Sequence, residues 1–417
     1  SSSGTGSGTS PRGSCSVAAP AWWPTLTVEF QWGYGVSDTW SDTFTDESDR
    51  VRSVSVRIGR DDELQQVQTS TATIVLDNRD GALDPSANPD VRPNVRVLVY
   101  ANVAAVGPYA STDYGVFAGF IDSIVPTWES AWGETVTIEC VDPLALLALR
   151  PLTTTRSSEN TDARYQWLAN VIQTDGYIKD WDYDNYIVAA QVHPARTYDR
   201  TSTLDALLEI VDGEDAVMFV SPTASGPFMY LYPRYSRTGV DSFVFTDAPS
   251  GDYEIEYESV EVDYSTTYLY NDVTVTDENS HVWTATSGTS IAAYGDRKLD
   301  KQIPVDDTVE VVRRAEWLAN RYGEPMLRVR SVTLRPAPLA ASTRVPWHVA
   351  LSSIFATVTV EGTRPSGAFS QFCMVEGAQH DIDANGDWTI TYSTSPLSKS
   401  PALYDQSYWV YDADHYA

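Results

Sequence analysis

The chain has few of the residues, and none of the motifs, that mark the common catalytic sites. It contains five histidines among 417 residues, and none lies in an HExxH motif or in a recognisable nucleophile setting. No GxSxG motif, no phosphate-binding GxxxxGK(S/T) loop and no GxGxxG after a strand pattern is present. The sequence therefore predicts a protein that is not an enzyme and that binds no cofactor.

Cysteine is also scarce. Cys15, Cys140 and Cys373 are the three cysteines, and they show no CxxC spacing and leave an odd count. A zinc site or a disulfide framework is therefore not expected. Cys140 and Cys373 lie in apolar strand patterns, which predicts that both are small core residues.

Positive charge is the third deficit. The chain has 28 Lys and Arg against 57 Asp and Glu, a formal net charge of −29. Non-specific nucleic-acid binding and docking on anionic lipid both need a basic surface. No apolar run approaches the ~18 residues of a membrane span. We therefore expect no specific nucleic-acid binding and no membrane insertion, and the simplest role of the acidity is solubility.

What the sequence does contain is a long series of β-strand patterns. A chain of this length should form two to four domains. Its Gly- and Ser-rich start predicts a flexible arm over residues 1–24. Six apolar segments separated by Gly, Pro, Asn and Asp clusters predict a first β-barrel or sandwich over 25–150. Asp142 and Pro143 are the expected N-cap and first residue of a short helix that closes this domain.

The pattern changes twice more along the chain. Two amphipathic helices and two strands predict an α+β domain over residues 151–250, and the spacing of Ser202 and Asp205 predicts a cap at the start of the second helix. Strand patterns return over 251–397 and predict a second β-barrel domain with one helix over 307–322, which Asp307 is expected to cap. Residues 398–417 form an aromatic tail without a pattern. The predicted fold class is mainly β with an α+β insertion and two small β-barrel domains.

One sequence feature occurs in both β regions. VFAGFIDSIV precedes ETVTIECVDP in the first region, and CMVEGAQHDI precedes DWTITYSTSP in the second. Each is a Gly-interrupted strand, a turn, an alternating strand and then Pro, and such a Gly marks a bend or bulge. Two similar barrels would explain the echo, and chance resemblance between two hairpins is the alternative.

Two acidic stretches resemble metal sites. DIDANGD at 381–387 has the spacing of the first half of a calcium loop, but Tyr392 stands where the bidentate Glu belongs. Because Asn385-Gly386 lies between two alternating strands, we favour a hairpin turn. DWDYD at 180–184 lacks the turn glycine and is interpreted as a solvated loop rather than a metal site.

Carbohydrate binding and glycoside hydrolysis are the alternatives to a structural role. Hydrolysis needs only two carboxylates about 5–10 Å apart, and 57 acidic residues leave such a pair open. Tryptophans could stack on sugars, although aromatic core and interface surface is the simpler interpretation. The tryptophans concerned are Trp22, Trp23, Trp32, Trp40, Trp128 and Trp132.

Short motifs follow one another in a characteristic order over residues 25–397. They are RIGR at 57–60 with Glu63-Leu64, TATIVLDNRD at 71–80, Leu83-Asp84-Pro85, VFAGFID at 116–122, VTIECVD at 136–142, YNDVTVT at 270–276, SIAAYGDR at 290–297, VEG at 375–377 and DWT at 387–389. In this order they resemble the minor tail proteins of long-tailed phages of actinobacteria, which share the fold of the baseplate-hub, or tail-tip hub, proteins.

The resemblance implies structural work at the tip of a virion tail. It implies a hub-like homotrimer in which two similar β-barrels per chain build a pseudo-sixfold ring. That ring would adapt the sixfold tail tube to a threefold tip or central fibre and let DNA pass, and an acidic lumen would repel phosphates. The implied partners are the distal tail protein, other tail-tip or fibre proteins and the tape measure protein. A carbohydrate-binding host-adhesion tail protein and a cell-wall glycosidase are the alternatives.

Aromatic and arginine side chains are the candidates for subunit contacts, because both residue types are enriched at interfaces. The candidates lie in the two terminal segments and in the RIGR motif at 57–60. They are Trp22, Trp23, Arg57, Arg60, Tyr404, Tyr408, Trp409 and Tyr411.

Overall fold

The computed structural model describes residues 24–397 except 37, 39, 41–42, 67, 130–132, 184–190, 233–242, 337–344 and 384–386. Within these residues the helices are α1 (Pro143–Leu149), α2 (Thr161–Thr174), α3 (Thr203–Glu214), α4 (Gly288–Tyr294), α5 (Thr308–Tyr322) and α6 (Val345–Ser352). None of these described helices combines the length and apolar character that crossing a bilayer requires.

The first β region supplies half of a 14-stranded sheet. Its strands are β1 (Thr25–Phe30), β2 (Thr45–Asp46), β3 (Val51–Gly59), β4 (Thr71–Asp77), β5 (Arg96–Val103), β6 (Thr112–Glu129) and β7 (Gly133–Val141). The alternation in the sequence sets which face is buried. In β4, for example, Ala72, Ile74 and Leu76 point into the core while the residues between them do not.

The α+β insertion follows with its own core. Its strands are β8 (Pro151–Arg156), β9 (Glu159–Asn160), β10 (Asp180–Tyr183), β11 (Val192–His193), β12 (Arg196–Ser202), β13 (Val217–Thr223) and β14 (Gly226–Tyr232). They pack with α1, α2 and α3 around Leu168 and Ile210. The predicted caps form, since Asp142 accepts the N–H of Leu144 and Ser202 accepts that of Asp205.

The acidic stretch at 180–184 was predicted as a loop, and this was wrong for its described part. Asp180 and Asp182 lie in β10, which pairs in parallel with β14. Trp181, between them, packs edge-on against buried Tyr165. The packing of Trp181 therefore fixes this segment as a strand, while the carboxylates of Asp180 and Asp182 stay exposed.

The second β region supplies the other half of the large sheet. Its strands are β15 (Phe243–Thr246), β16 (Glu254–Glu256), β17 (Ser259–Asp263), β21 (Arg328–Leu334), β22 (Thr357–Arg364), β23 (Gly367–Ile382) and β24 (Trp388–Pro396). Antiparallel pairing of β23 with β3 joins the two halves, and one core cluster contains residues of both. The prediction of a mainly β fold with an α+β insertion is confirmed. The described pairings do not close either region separately, so two distinct barrels stay a prediction.

A separate unit lies between β17 and β21. It consists of β18 (Asp272–Thr276), β19 (Val282–Thr286) and β20 (Lys298–Gln302) as a three-stranded sheet, with α5 packed against it. The sequence predicted these strands as part of the second barrel and predicted only the helix over 307–322. Asp307 caps that helix as expected, whereas α4 and α6 were not predicted.

The two β regions share one topology. In space the first runs β3-β4-β7-β6-β5 and the second runs β17-β21-β24-β23-β22, with every neighbouring pair antiparallel. The long strands β6 and β23 occupy corresponding places. Each has a bulge facing its hairpin partner, between Ile121 and Ser123 in β6 and between Val375 and Gly377 in β23. The sequence echo therefore marks a repeat of five strands.

Other local predictions can be checked directly. Ile382 pairs with Trp388 across the β23–β24 hairpin, in agreement with the predicted turn, although residues 384–386 lie outside the described residues. Cys140 and Cys373 are buried free thiols, as predicted.

Candidate assembly interface

The junction between the two repeats is a strand pair within the chain. The end of β23, from Gly377 to Ile382, pairs with β3 from Gly59 back to Val54. Across this pair the Ser55 hydroxyl donates to the Asp381 carboxylate over 2.7 Å. The junction thus combines a continuous backbone ladder with a hydroxyl–carboxylate contact on its exposed face.

Glycine on both strands permits the close approach at one end of this junction. A Cβ at Gly377 would lie 2.6 Å from the carbonyl oxygen of Arg60 and 2.7 Å from that of Ile58. Gly59 has φ +80° and a Cβ there would lie 2.3 Å from the carbonyl oxygen of Glu376. The glycine that interrupts this strand pattern is therefore required by backbone contact, not only by a bend.

A buried ion pair lies beside these glycines. Glu376 is the residue that the β23 bulge adds, and its carboxylate accepts from Arg60 Nε over 2.7 Å. The exposed fractions of the two side chains are 3% and 9%. Burial alone would lower the pKa of Arg60, but the charge of Glu376 raises it. Removing either partner would leave the other charge buried, so the pair fixes the junction.

The loop after β3 extends this charged contact to the inserted unit. Glu63 binds Arg321 of α5 at 2.9 Å and Arg328 of β21 at 3.0 Å. Burial would raise the pKa of Glu63, but the two guanidinium groups hold it below its usual value. This acid-rich segment therefore ties three parts of the chain together.

The structure describes only two of the predicted interface residues. Arg57 is half exposed and pairs with Asp61 at 2.6 Å, four residues along the chain. Arg60 is buried within the chain by the contact just described. The other six candidates, Trp22, Trp23, Tyr404, Tyr408, Trp409 and Tyr411, lie outside the described residues. A subunit contact through any of the eight stays a prediction.

Two strand edges that correspond to the internal junction carry no partner in the described part of the chain. Beyond Ile121, β6 pairs with β7 on one edge only, because β5 reaches residues 112–120 and the backbone of Asn94 and Val95 bonds Ile121 but no residue after it. β17 pairs with β21 alone. The free half of β6 exposes Val125 and Trp128, the latter by 67%. Exposed strand edges with apolar side chains are ready to pair with another strand.

Alignment of the two bulges identifies the equivalent residues on the long strands. Ser123 follows the bulge in β6, as Gly377 does in β23, so Thr127 corresponds to Asp381 and Trp128 to Ile382. The free half of β6 therefore corresponds to the part of β23 that pairs with β3.

The same bookkeeping relates β17 to β3. Ser55 of β3 pairs with Thr73 of β4 and, across β7, lies in line with the residue after the β6 bulge. Glu261 of β17 pairs with Ser331 of β21 and, across β24, lies in line with the residue after the β23 bulge. Glu261 therefore corresponds to Ser55, and Val260 to Val54. The two free edges are thus the counterparts of the two strands that join inside the chain, a feature that no local sequence motif encodes.

The tryptophans weighed as a sugar platform do not form one among the described residues. Trp40 is buried, with Arg96 above its ring at 4.8 Å. Trp32 stacks on Phe30 at 4.6 Å between ring centroids. Trp128 alone of the described members is largely exposed, and its indole N–H donates to Glu134.

Comparison with solved structures shows which proteins share this fold. A tail protein from Neisseria meningitidis MC58 aligns with a TM-score of 0.57 and 12% identity, over 90% of this chain and 97% of that one. The 43 kDa tail protein of prophage MuSo2 from Shewanella oneidensis aligns with a TM-score of 0.55 and 11% identity, over 89% and 98%. A chain of the Francisella PdpA-VgrG complex aligns at 0.51 and 9%, over 90% and 53%.

Sequence comparison adds no relative to these. No protein-family model matches the chain, and no curated protein matches it. The alignments with the two tail proteins cover nearly the whole of each chain. The chain therefore has the fold of these tail proteins, although its sequence is only 11–12% identical to theirs.

Proposed function

We propose that this chain is a structural protein of a phage tail tip, in which three copies close a ring of six repeated sheets. The shared fold with two tail proteins supports the setting. The observation that carries the ring is the internal repeat, because the described residues of each chain contain one complete repeat-to-repeat junction and the two unpaired halves of a second. Three chains in a closed ring would satisfy every such edge.

In the proposed ring, the free half of β6 pairs with β17 of the next copy. Equivalence with the internal junction puts Thr127 opposite Glu261 of the neighbour and Trp128 opposite Val260. The Ser55–Asp381 contact then recurs with the roles exchanged, since the hydroxyl lies on β6 and the carboxylate on β17. An apolar pair follows it in both junctions, Val54 with Ile382 and Val260 with Trp128. Cross-strand pairs of these kinds stabilise sheets.

The symmetry of such a ring suits its position. Six similar sheets present an approximately sixfold face to a tail tube, while the insertions, which occur once per chain, present a threefold face to a tip or fibre. The ring's opening would pass DNA, and the net charge of −29 suits a lining that repels phosphates. In this role the chain assembles with neighbouring tail proteins and the tape measure protein, and it catalyses nothing.

Cysteine cross-linking tests the ring. With Cys15 replaced by Ser, Thr127→Cys together with Glu261→Cys should form disulfides between copies under mild oxidation. Denaturing gels should show linked dimers and trimers and no larger species, because three links close the ring. The matched control is Ser55→Cys with Asp381→Cys, which should link within one chain and leave a single band.

Two results would overturn the proposal. One is a Thr127/Glu261 double variant that stays unlinked while the control pair links fully. The other is a ladder that continues past the trimer, which would indicate an open assembly rather than a ring.

A further inference from the structure

Three metal-ligating side chains meet at one end of the inserted three-stranded sheet. Asp277 begins the turn after β18, His281 ends it, and Asp306 follows β20. One candidate ligand atom from each lies within 4.8 Å of the other two. None of the three residues belongs to β6 or β17, the strands proposed to pair between copies, so the proposed assembly does not account for the cluster.

Backbone contacts bring the two segments together. Asp277 Oδ1 accepts the N–H groups of Asn279 and His281 at 3.0 and 2.9 Å, which fixes the carboxylate. The other oxygen, Oδ2, then faces His281 Nδ1 at 2.7 Å. The N–H of Glu278 donates to Val305 over 3.3 Å, so the chain carries Asp306 past the turn.

The carboxylates next to the cluster in the sequence bind other groups, so they are not candidate ligands. Glu278 binds Arg196. Asp307 accepts the N–H groups of Val309 and Glu310 as the cap of α5. The Asp277 side chain is fully buried, whereas His281 is 47% exposed and gives solvent access to the site.

We propose that Asp277, His281 and Asp306 bind one divalent transition-metal ion of the zinc class. One imidazole nitrogen and two carboxylate oxygens match the ligand types of such ions, and water would complete the coordination. An imidazole ligand favours Zn²⁺ over Ca²⁺ or Mg²⁺, which prefer oxygen ligands alone. The bound ion would fasten the β18–β19 turn to the segment that leads into α5.

Isothermal titration of the full chain with ZnCl₂ tests the proposal. The titration should show saturable binding of one ion per chain. His281→Ala and Asp306→Asn should each weaken binding at least about tenfold, as ligand losses do. Asp300→Asn, an exposed acid of β20 outside the cluster, is the matched control and should bind like the parent.

Two results would overturn it. One is no saturable binding up to about 100 µM zinc, and the other is binding that both ligand variants leave unchanged, which would indicate adventitious binding to an acidic surface. Because His281 and Asp306 are exposed, both variants should fold, and circular dichroism checks this.

Discussion

The two five-strand repeats have the same order of strands, but they differ in the connection that follows their first strand and in the pairing at their outer edge. In the first, β3 reaches β4 through the short segment 60–70, whereas in the second β17 reaches β21 through a complete sheet-and-helix unit. At the outer edge, β5 pairs with β1 in antiparallel fashion, while β22 pairs with β15 in parallel. A ring of equivalent sheets would use the strands that the repeats share. The connections between strands make the contacts that differ from one repeat to the other.

The two bulges show the same contrast at the scale of one residue. The bulge of β23 adds Glu376, which is buried against Arg60, and the bulge of β6 adds Asp122, which is exposed. The two bulges therefore have the same position in the strand ladder, but only the acidic residue added in β23 forms a buried ion pair. Substitutions in the second repeat can therefore be compared with the equivalent position of the first repeat or with a position in open space.

The largest effect is expected at the glycine of the internal junction. Gly377→Val would place a branched side chain where even a Cβ lies 2.6 Å from backbone oxygen, so β23 and β3 must separate. We expect a loss of more than about 4 kcal/mol in the free energy of unfolding, measured by urea denaturation. Gly288→Ala, with open space around its Cβ, is the control and should change it by less than about 1 kcal/mol. Similar stabilities for the two variants would contradict the junction described here.

The bulge residues should differ next. Glu376→Ala leaves the Arg60 guanidinium buried without its carboxylate and should lower the free energy of unfolding by about 3–5 kcal/mol. Asp122→Ala changes the equivalent exposed position and should stay within about 0.5 kcal/mol of the parent. Urea denaturation of both variants in the same buffer measures the difference. Equal effects would show that the Arg60–Glu376 contact does not stabilise the junction.

The smallest effect concerns acid sensitivity of the second repeat. His380, in β23, is buried with its Nδ1 accepting from Trp388, and burial lowers its pKa to about 4. The unfolded imidazole binds a proton near pH 6.5. This histidine's share of stability is therefore complete above pH 6.5 and is lost as pH falls towards 4, about 2 kcal/mol by pH 5.

His380→Asn tests this, because its amide oxygen can replace the ring nitrogen as acceptor while the side chain no longer titrates. The free energy of unfolding should fall less between pH 7 and pH 5 in the variant than in the parent, by about 2 kcal/mol. Proline occupies the equivalent position of the first repeat, at 126, so that repeat makes no matching contribution. An unchanged pH dependence would show that His380 does not titrate as described.

Sequence patterns predicted the local structure well where a physical signal lies within a few residues. Strand alternation in TATIVLDN, the caps at Asp142, Ser202 and Asp307, and the turn signal between the strands β23 and β24 are such signals. The separate sheet that contains β18 was not predicted, because alternation specifies a buried face and not the partner strand. The α6 helix was missed because its apolar residues lie all around it, so no 3.6-residue stripe appears.

The proposed interface was largely beyond sequence reasoning. Gly377 and the echo around it gave the one usable signal, but the free edges of β6 and β17 become recognisable only when both repeats are aligned in space. Arg60 was predicted as a subunit contact, but its partner Glu376 lies in the same chain, 316 residues away. Pairings across such separations depend on the global fold and leave no local pattern.

The mass of the full chain in solution is the most direct test of a ring made from three copies. Analytical ultracentrifugation of the parent should give a species of about three times the 46.0 kDa chain mass. Trp128→Asp, which puts a charge into the proposed edge pair at an exposed position, should give a folded monomer. A parent that stays monomeric at all concentrations, or a trimer that Trp128→Asp leaves intact, would contradict the account.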